Sequence, residues 1–599
     1  MKDTKYTWNL TDLYNSDDDP KMEKDLQKAV KKNYEFINKW KERKDYLEDP
    51  SVLKEALDEY NELDEKYGTS GALGYYLFLR YNQDQEDKNI IKKKKLIERK
   101  IVELMNDLEF FELNIAKIPK EKQKTFLSSK NLKPYKHFIE RLFKFSKHTL
   151  SEKEEKILNL TSAPSSSNWV DMTSQFLSKE IITVLDENGK TIKIPFSMNK
   201  KFFQSKKKKV REVAAKEEFR ILEKWSDVAE HEMNSILEME RVLSEIKKYS
   251  RADGSRHLSD DISSKTVDTM LNSVENHFSL PQKFYKFKAK LLGKEKLSYF
   301  DRYLPYGNID KKYSYEESID IVTKVLNELD PKFKDIVTDM YENGRYDVFP
   351  AKGKRDGAFC MYILKFLPIY VLLNHKDNLD SVLTIAHETG HAINGYMMFE
   401  KQLALNCHTP LSIAEVSSTF FEDFVSENIL KNANDETKLS MLVNKLDSDI
   451  ATIHRQVACY KFEQELHEEF KSEGFLSKEK ISEIFKKHMV SYMGEYISQD
   501  KGSEYFWVIW SHIRNYFYVY SYANGLLISK ALQRMVREDP KNIEKVKKML
   551  STGTSQSPEE MFKEIGIDIS KKEFWEKGLQ EVEDTYNEAY NLAKKLGKI

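Results

Sequence analysis

Cysteine is scarce in this sequence. Three occur in 599 residues, Cys360, Cys407 and Cys459, odd in number and widely separated. That excludes a disulfide framework and points to free thiols in a reducing compartment. Net charge is scarce as well: 97 Lys and Arg against 98 Asp and Glu leave a formal −1, so no bulk field draws the chain to nucleic acid or a membrane surface. No run reaches the roughly 18 continuous apolar residues of a membrane span. The longest, near Phe366 to Leu373, is broken by Pro368 and reads as buried structure. Met1 to Trp8 contain no apolar core of signal-peptide length, so a cytoplasmic location is expected. Lysine runs at 92–95 and 206–209 lie in charged helical stretches and read as solvated faces; the stacking or base-reading elements of a nucleic-acid binder are missing. Internal repeats and low-complexity linkers are missing too.

What the chain has in abundance is helical periodicity. Residues 20 to 160 read as several long, charged helices, with Leu53, Leu57, Tyr60 and Leu63 marking one buried face. Ala163 to Asn168 reads as a loop. Asn188-Gly189 between the β-prone runs 181–185 and 191–194 predicts a hairpin. Helix resumes from Lys206 to about Lys247, and Gly353 to Leu367 can supply a short strand or two. A chain of this length can bury large cores in more than one lobe. A mainly α, multi-helical fold with small β elements is expected.

Chemistry enters at His387-Glu388-Thr389-Gly390-His391. Positions i and i+4 share a helical face, so His387 and His391 can offer both imidazoles to one ion. Glu388 can then sit beside that ion and handle the proton of a water. This is the H-E-x-x-H arrangement of zinc-dependent peptidases. The polar cluster Lys376 to Ser381 supplies helix-capping residues, and Val382 to Ala386 is apolar on most faces, as a buried helix would be. The bland alternative is a helix with two solvated histidines, which leaves Glu388 unexplained.

Two histidines do not complete a catalytic zinc site, which usually has three protein ligands. Glu415 is the first candidate downstream. It lies in Leu411 to Glu422, where Ile413, Val416 and Phe420 recur at helical spacing and Glu415, Ser418, Thr419 and Glu422 share another face. A loop from Gly395 to Pro410 could bring the two helices side by side. Glu422 reads equally well as an acceptor for a ligand histidine or as a solvated charge. Glu400, placed in the loop, is the poorest competitor. Cys407-His408 has no CxxC partner and is a weak ligand pair. Further on, His512 to Gly525 contains one His and four Tyr within eleven residues; Tyr518 and Tyr522 share one helical face, Tyr516 and Tyr520 another. Most of these rings read as core.

The motif His387 to His391, followed by Ala414-Glu-Val-Ser-Ser-Thr-Phe420, resembles the oligoendopeptidase F branch of the thimet-oligopeptidase-like zinc peptidases. Leu297 to Pro305, Tyr313 to Ser318, Ala351 to Phe359, Gly553 to Pro558 and Gly566 to Asp568 resemble further segments of that family in order, and Trp8 to Tyr14 a plausible start. The resemblance implies a two-lobed zincin-type metallopeptidase with a deep channel that admits short unfolded peptides. It implies one zinc per chain on His387, His391 and Glu415, with Glu388 as general base. It also implies a His and a Tyr that hydrogen-bond the oxyanion, His512 and Tyr520 by motif position, with Tyr518 and Tyr522 as rivals. Ile513-Arg514 departs from the aromatic residues common there. A division into an N-terminal helical region, 1–200, and a catalytic domain, 201–599, follows from the same likeness. Two other readings stay open: a helical zinc carboxypeptidase, and a peptide-binding scaffold with an inactive metal site.

Overall fold

The computed structural model describes residues 5–309 and 311–599. Helices dominate, and the strands are few: β1 (Ile181–Leu185) with β2 (Thr191–Pro195), and a small sheet of β3 (Tyr346–Asp347), β4 (Phe359–Met361) and β5 (Tyr370–Leu372). β1 and β2 form the antiparallel hairpin that Asn188-Gly189 announces, with Ile181 opposite Pro195. Strand order in the sheet is β3-β5-β4, so β4 lies at its edge; β3 runs parallel to β5, and β4 antiparallel with Cys360 opposite Val371.

The contacts divide the chain into two compact units, each assembled from three stretches: 1–147, 310–431 and 532–568 in the first, and 148–309, 432–531 and 569–599 in the second. A linear boundary near residue 200 therefore falls inside the second unit. The first unit holds two apolar clusters. One gathers Phe36, Trp40, Tyr46, Leu57 and Phe111; the other gathers Trp8, Tyr14, Tyr75, Leu79, Tyr370 and Leu372. Trp8 also donates its indole N–H to the Val371 carbonyl at 2.8 Å, which fastens the N-terminal segment to β5. The longest helix of the second unit, Lys208–Ile246, buries Ala214, Ile221, Leu222, Ala229 and Met233 along one stripe, as the 3.6-residue period requires.

Two stretches differ from expectation. Ala163–Ser167 winds as a wide helical turn. It joins helix Glu152–Ser162 to helix Asn168–Lys179 without a break, so Pro164 lies inside a continuous helical run whose ladder it interrupts, and Ser165 donates to the Thr161 carbonyl at 2.6 Å. The motif helix α1 (Leu379–Lys401) runs straight through Gly395, so Glu400 is helical and pairs with Lys332. Gly395 serves packing: a Cβ there would lie 2.7 Å from Ile369 Cδ1. The connection to helix α2 (Ala414–Lys431) is correspondingly shorter, and two 3-10 turns, Ala404–Asn406 and Leu411–Ile413, occupy much of it.

Candidate active site

α1 begins where Asn378 caps it, accepting the Ser381 N–H at 3.0 Å and its hydroxyl at 2.7 Å. Two turns on, His387 and His391 project from one face with their ring centroids 5.1 Å apart. The residues between them explain the rest of the motif. Thr389 is fully buried, with its hydroxyl 3.0 Å from that of Tyr346 on β3. Gly390 is where α2 crosses: a Cβ there would stand 2.8 Å from Ser418 Cα and 2.9 Å from the Ser417 carbonyl. Close approach of backbone to backbone is what the missing side chain permits. Gly390→Ala should therefore cost about 1–3 kcal/mol by overpacking. It should also loosen metal binding, because the crossing sets the ligand geometry. Thermal melts and metal titration of the variant check both effects together.

That crossing delivers Glu415 to the histidines. Its Oε2 lies 3.3 Å from His387 Nε2 and 3.6 Å from His391 Nε2. One ligand atom from each of the three falls within 4.8 Å of the others, the arrangement that can hold a metal ion. With metal–ligand bonds of about 2.0–2.2 Å, the edge of a tetrahedron is about 3.3–3.6 Å, so these separations fit. Ser418 donates to the same Glu415 oxygen at 3.0 Å. His387 Nδ1 lies 2.9 Å from Glu422 Oε2, so Glu422 orients the ring and leaves Nε2 for an ion. Burial opposes a charged imidazole at His387, but Glu415 and Glu422 outweigh it and push its pKa up to about 10. Burial likewise raises Glu415, yet the two histidines hold it far below the usual carboxylate range. Glu388 is 7% exposed and accepts the backbone N–H of Cys360 on β4; burial raises its pKa although both imidazoles pull the other way.

Neither Cys407 nor His408 joins this cluster. Cys407 is buried, donates to the Leu403 carbonyl at 3.2 Å, and has its thiol pushed up to about 12 by burial. In the lysine runs, Lys93 and Lys94 are paired with Asp18 and Glu98.

In the second unit, His512 sits on a short 3-10 turn with Nε2 3.1 Å from the Tyr522 hydroxyl. Tyr518 and Tyr522 stand ring to ring at 5.5 Å. Tyr520 is different. It is 0% exposed, and its hydroxyl is spent on Asp260 at 2.7 Å. The even helical spacing expected across these tyrosines fails because the helix Tyr520–Glu538 starts only at Tyr520. Just before it, Tyr516 and Phe517 take left-handed backbone angles, φ 39° and 53°. Such angles in non-glycine residues cost about 1–3 kcal/mol each and persist only when held. Glu463, 1% exposed on the helix α3 (His454–Glu473), accepts the Phe517 N–H at 2.9 Å. Arg514, the departure from the expected aromatics, forms a forked pair with buried Glu232 at 3.0 Å and donates to the carbonyls of Trp507, Val508 and Trp510. It braces the turn that carries His512. Sequence reasoning missed Glu463, since nothing in its local pattern tells a buried carboxylate from a solvated one.

Two family models match the chain: Peptidase family M3 over residues 202–581, and Oligopeptidase F over 114–178. The chain belongs to peptidase family M3. This M3 peptidase is 24% identical to an oligoendopeptidase F homolog of Lactococcus lactis, with 99% of this chain and 98% of the relative aligned. It is 26% identical to oligopeptidase PepF of Bacillus subtilis over 98% of this chain and 88% of that one. In fold it is similar to a solved structure from Chlamydophila abortus, with a TM-score of 0.85 at 23% identity and 98% of each chain covered. It is also similar to oligoendopeptidase-F from Enterococcus faecium, with a TM-score of 0.69 at 19% identity over 95% of this chain and 98% of that one. As an M3 peptidase it has the fold class expected from its helical pattern. Among the described residues no helix is long and apolar enough to cross a membrane.

Proposed function

We propose that this M3 peptidase is a zinc-dependent endopeptidase that hydrolyses internal bonds of short unfolded peptides. The observation that carries the reading is the three-ligand cluster of His387, His391 and Glu415 with the buried carboxylate of Glu388 next to its first ligand. Two imidazoles and one carboxylate are a common donor set for catalytic zinc. The names of the relatives, oligoendopeptidase F and oligopeptidase, support internal cleavage and short substrates.

Bound zinc supplies a Lewis acid that polarises a carbonyl and brings the pKa of water towards about 7. The residues do the rest. Glu388 takes the proton of the attacking water and passes it to the leaving amine. Glu422 keeps His387 in the tautomer whose Nε2 lone pair is free. His512 and Tyr522 donate hydrogen bonds to the oxyanion. Tyr522 takes that place from Tyr520, whose hydroxyl Asp260 already occupies. A peptide laid along the edge strand β4 would gain main-chain hydrogen bonds without regard to its sequence.

Mass-spectrometric mapping of cuts in a mixed peptide library, with and without a chelator, tests the whole reading. Chelator-sensitive internal cuts, including cuts in peptides with amidated C-termini, support it. Trimming confined to free C-termini would favour the carboxypeptidase alternative, and no cutting at all the inactive scaffold.

Zinc uptake offers an independent check. At pH 7.5 the imidazole of His387, pushed up to about 10, carries a proton in a chain stripped of metal, and a ligand nitrogen must lose it. Titrating zinc into stripped protein should release about one proton or more per ion. Affinity should fall by up to about tenfold for each pH unit below 10. Calorimetry in buffers of different ionisation enthalpy reads this directly, and proton-neutral uptake would contradict it.

A further inference from the structure

Among the described residues, the second unit has two guanidinium groups without a carboxylate. Arg302 is 6% exposed; it lies 3.9 Å over the ring of Tyr299 and 4.6 Å over that of Tyr303, and donates to the Tyr303 hydroxyl at 2.8 Å. Arg455, on α3 and half-buried, lies 4.4 Å over the ring of Trp510 and 5.8 Å from that of Phe506. Phe506 stands between the two, 5.9 Å from Arg302. The Nε of each arginine has no hydrogen-bond partner, and neither does the side-chain oxygen of neighbouring Gln456. Other buried arginines of this unit are matched to acids, Arg211 to Asp301 and Arg514 to Glu232.

A buried guanidinium left without an anion is costly unless something else compensates it. Aromatic faces offset part of that cost for Arg302 and Arg455. They leave the planar fork of Arg455 free to accept a second partner. The surroundings carry the imprint of this charge. Burial pushes the Tyr303 hydroxyl up, but Arg302 and Arg455 outweigh it and hold its pKa below the ordinary value. His512 is lowered first by burial and then by Arg455 and Lys200. Trp510, on which Arg455 stacks, is two residues from His512.

We propose that Arg455 binds a carboxylate of the peptide substrate, as a fork held over the ring of Trp510, two residues from the oxyanion donor His512. The chemistry it recognises, a planar anion with two acceptor oxygens, occurs in a peptide as its C-terminal α-carboxylate or as an Asp or Glu side chain. The proposal rests on the peptidase reading above.

The test uses full-length protein and three nonapeptides of one sequence, ending in a free acid, an amide, or a glutamate amide. Binding is measured by calorimetry to Glu388→Gln protein, with and without Arg455→Met, so no turnover is needed. The free acid should bind about tenfold more tightly than the amide, and Arg455→Met should erase that difference. Arg455→Lys should restore part of it. If the glutamate amide binds as the free acid does, the site takes side-chain carboxylates as well; if it binds as the amide does, the site reads the chain terminus. Equal binding of acid and amide before the substitution, or an equal loss for both after it, would overturn the proposal and leave Arg455 a packing residue. Wild-type protein that cleaves none of the three would count against the peptidase reading, while the binding ratio still decides the carboxylate site.

Discussion

Replacing Glu388 by Gln should lower kcat for peptide hydrolysis by about 10²–10⁴-fold, the usual contribution of a positioned general acid–base group. KM and zinc content should change little. The substitution is nearly isosteric, and the amide oxygen of Gln can still accept the Cys360 N–H that Glu388 accepts. What it cannot do is receive a proton. The ligands are untouched, since the closest charged contacts of Glu415 run to His387 and His391. Initial rates over a range of peptide concentrations, with zinc counted by atomic absorption, separate the two effects. A variant that kept activity within tenfold of wild type would remove Glu388 from the mechanism. So would one that lost its zinc in parallel with its rate, because the residue would then be acting on the metal site.

The motif was legible because its surroundings obey simple periodic rules. An apolar helix begins at a capping asparagine, two histidines recur at i and i+4, and a second helix starts at Ala414, after the turn that follows Pro410, with Glu415 in its first turn. Each signal is local. Thr389 and Gly390 carried none, since a buried threonine hydroxyl on Tyr346 and a helix crossing at Ser417–Ser418 are tertiary facts. Gly395 misled for the same reason: glycine often ends a helix, but here it makes room for Ile369 and Tyr362 within one.

The tyrosine segment shows the limit most clearly. Reading 512–525 as one helix assigns Tyr520 by register, yet the chain takes two left-handed steps at Tyr516 and Phe517 before any helix begins. No glycine marks that turn. Its support comes from Glu463, 54 residues away, and from the Arg514–Glu232 pair across 282 residues. Burial pushes the Glu463 carboxyl up to about 8 while the Phe517 N–H pulls it down. Chain order hides such partners. It also hides the two units, because each gathers three separate stretches and no composition shift marks the joins.

Removing Glu415 should have the second large effect, through the metal and not through the proton. Structural zinc sites are worth about 10–16 kcal/mol shared among four ligands, roughly 2.5–4 kcal/mol each, or about 10²–10³-fold in affinity. Glu415→Ala should weaken zinc binding by that order. Its activity should fall to the level of chelated wild type when metal is limiting, and recover in part with excess zinc. The fold should hold, for the crossing of α1 over α2 rests on Gly390 against the backbone of Ser417 and Ser418, and the Ser418 hydroxyl, which loses Glu415 Oε2, keeps the Glu415 carbonyl at 3.0 Å. Glu415→Ala and Gly390→Ala thus fail in different ways. The first should melt near wild type and bind zinc poorly because a ligand is gone; the second should melt early because two backbones are forced apart. Equilibrium dialysis against buffered zinc, set beside thermal melts of both variants, distinguishes them. Undiminished zinc affinity in a folded Glu415→Ala chain would show that another group completes the site. Glu422 would then be the first to examine, since it already reaches His387 at 2.9 Å.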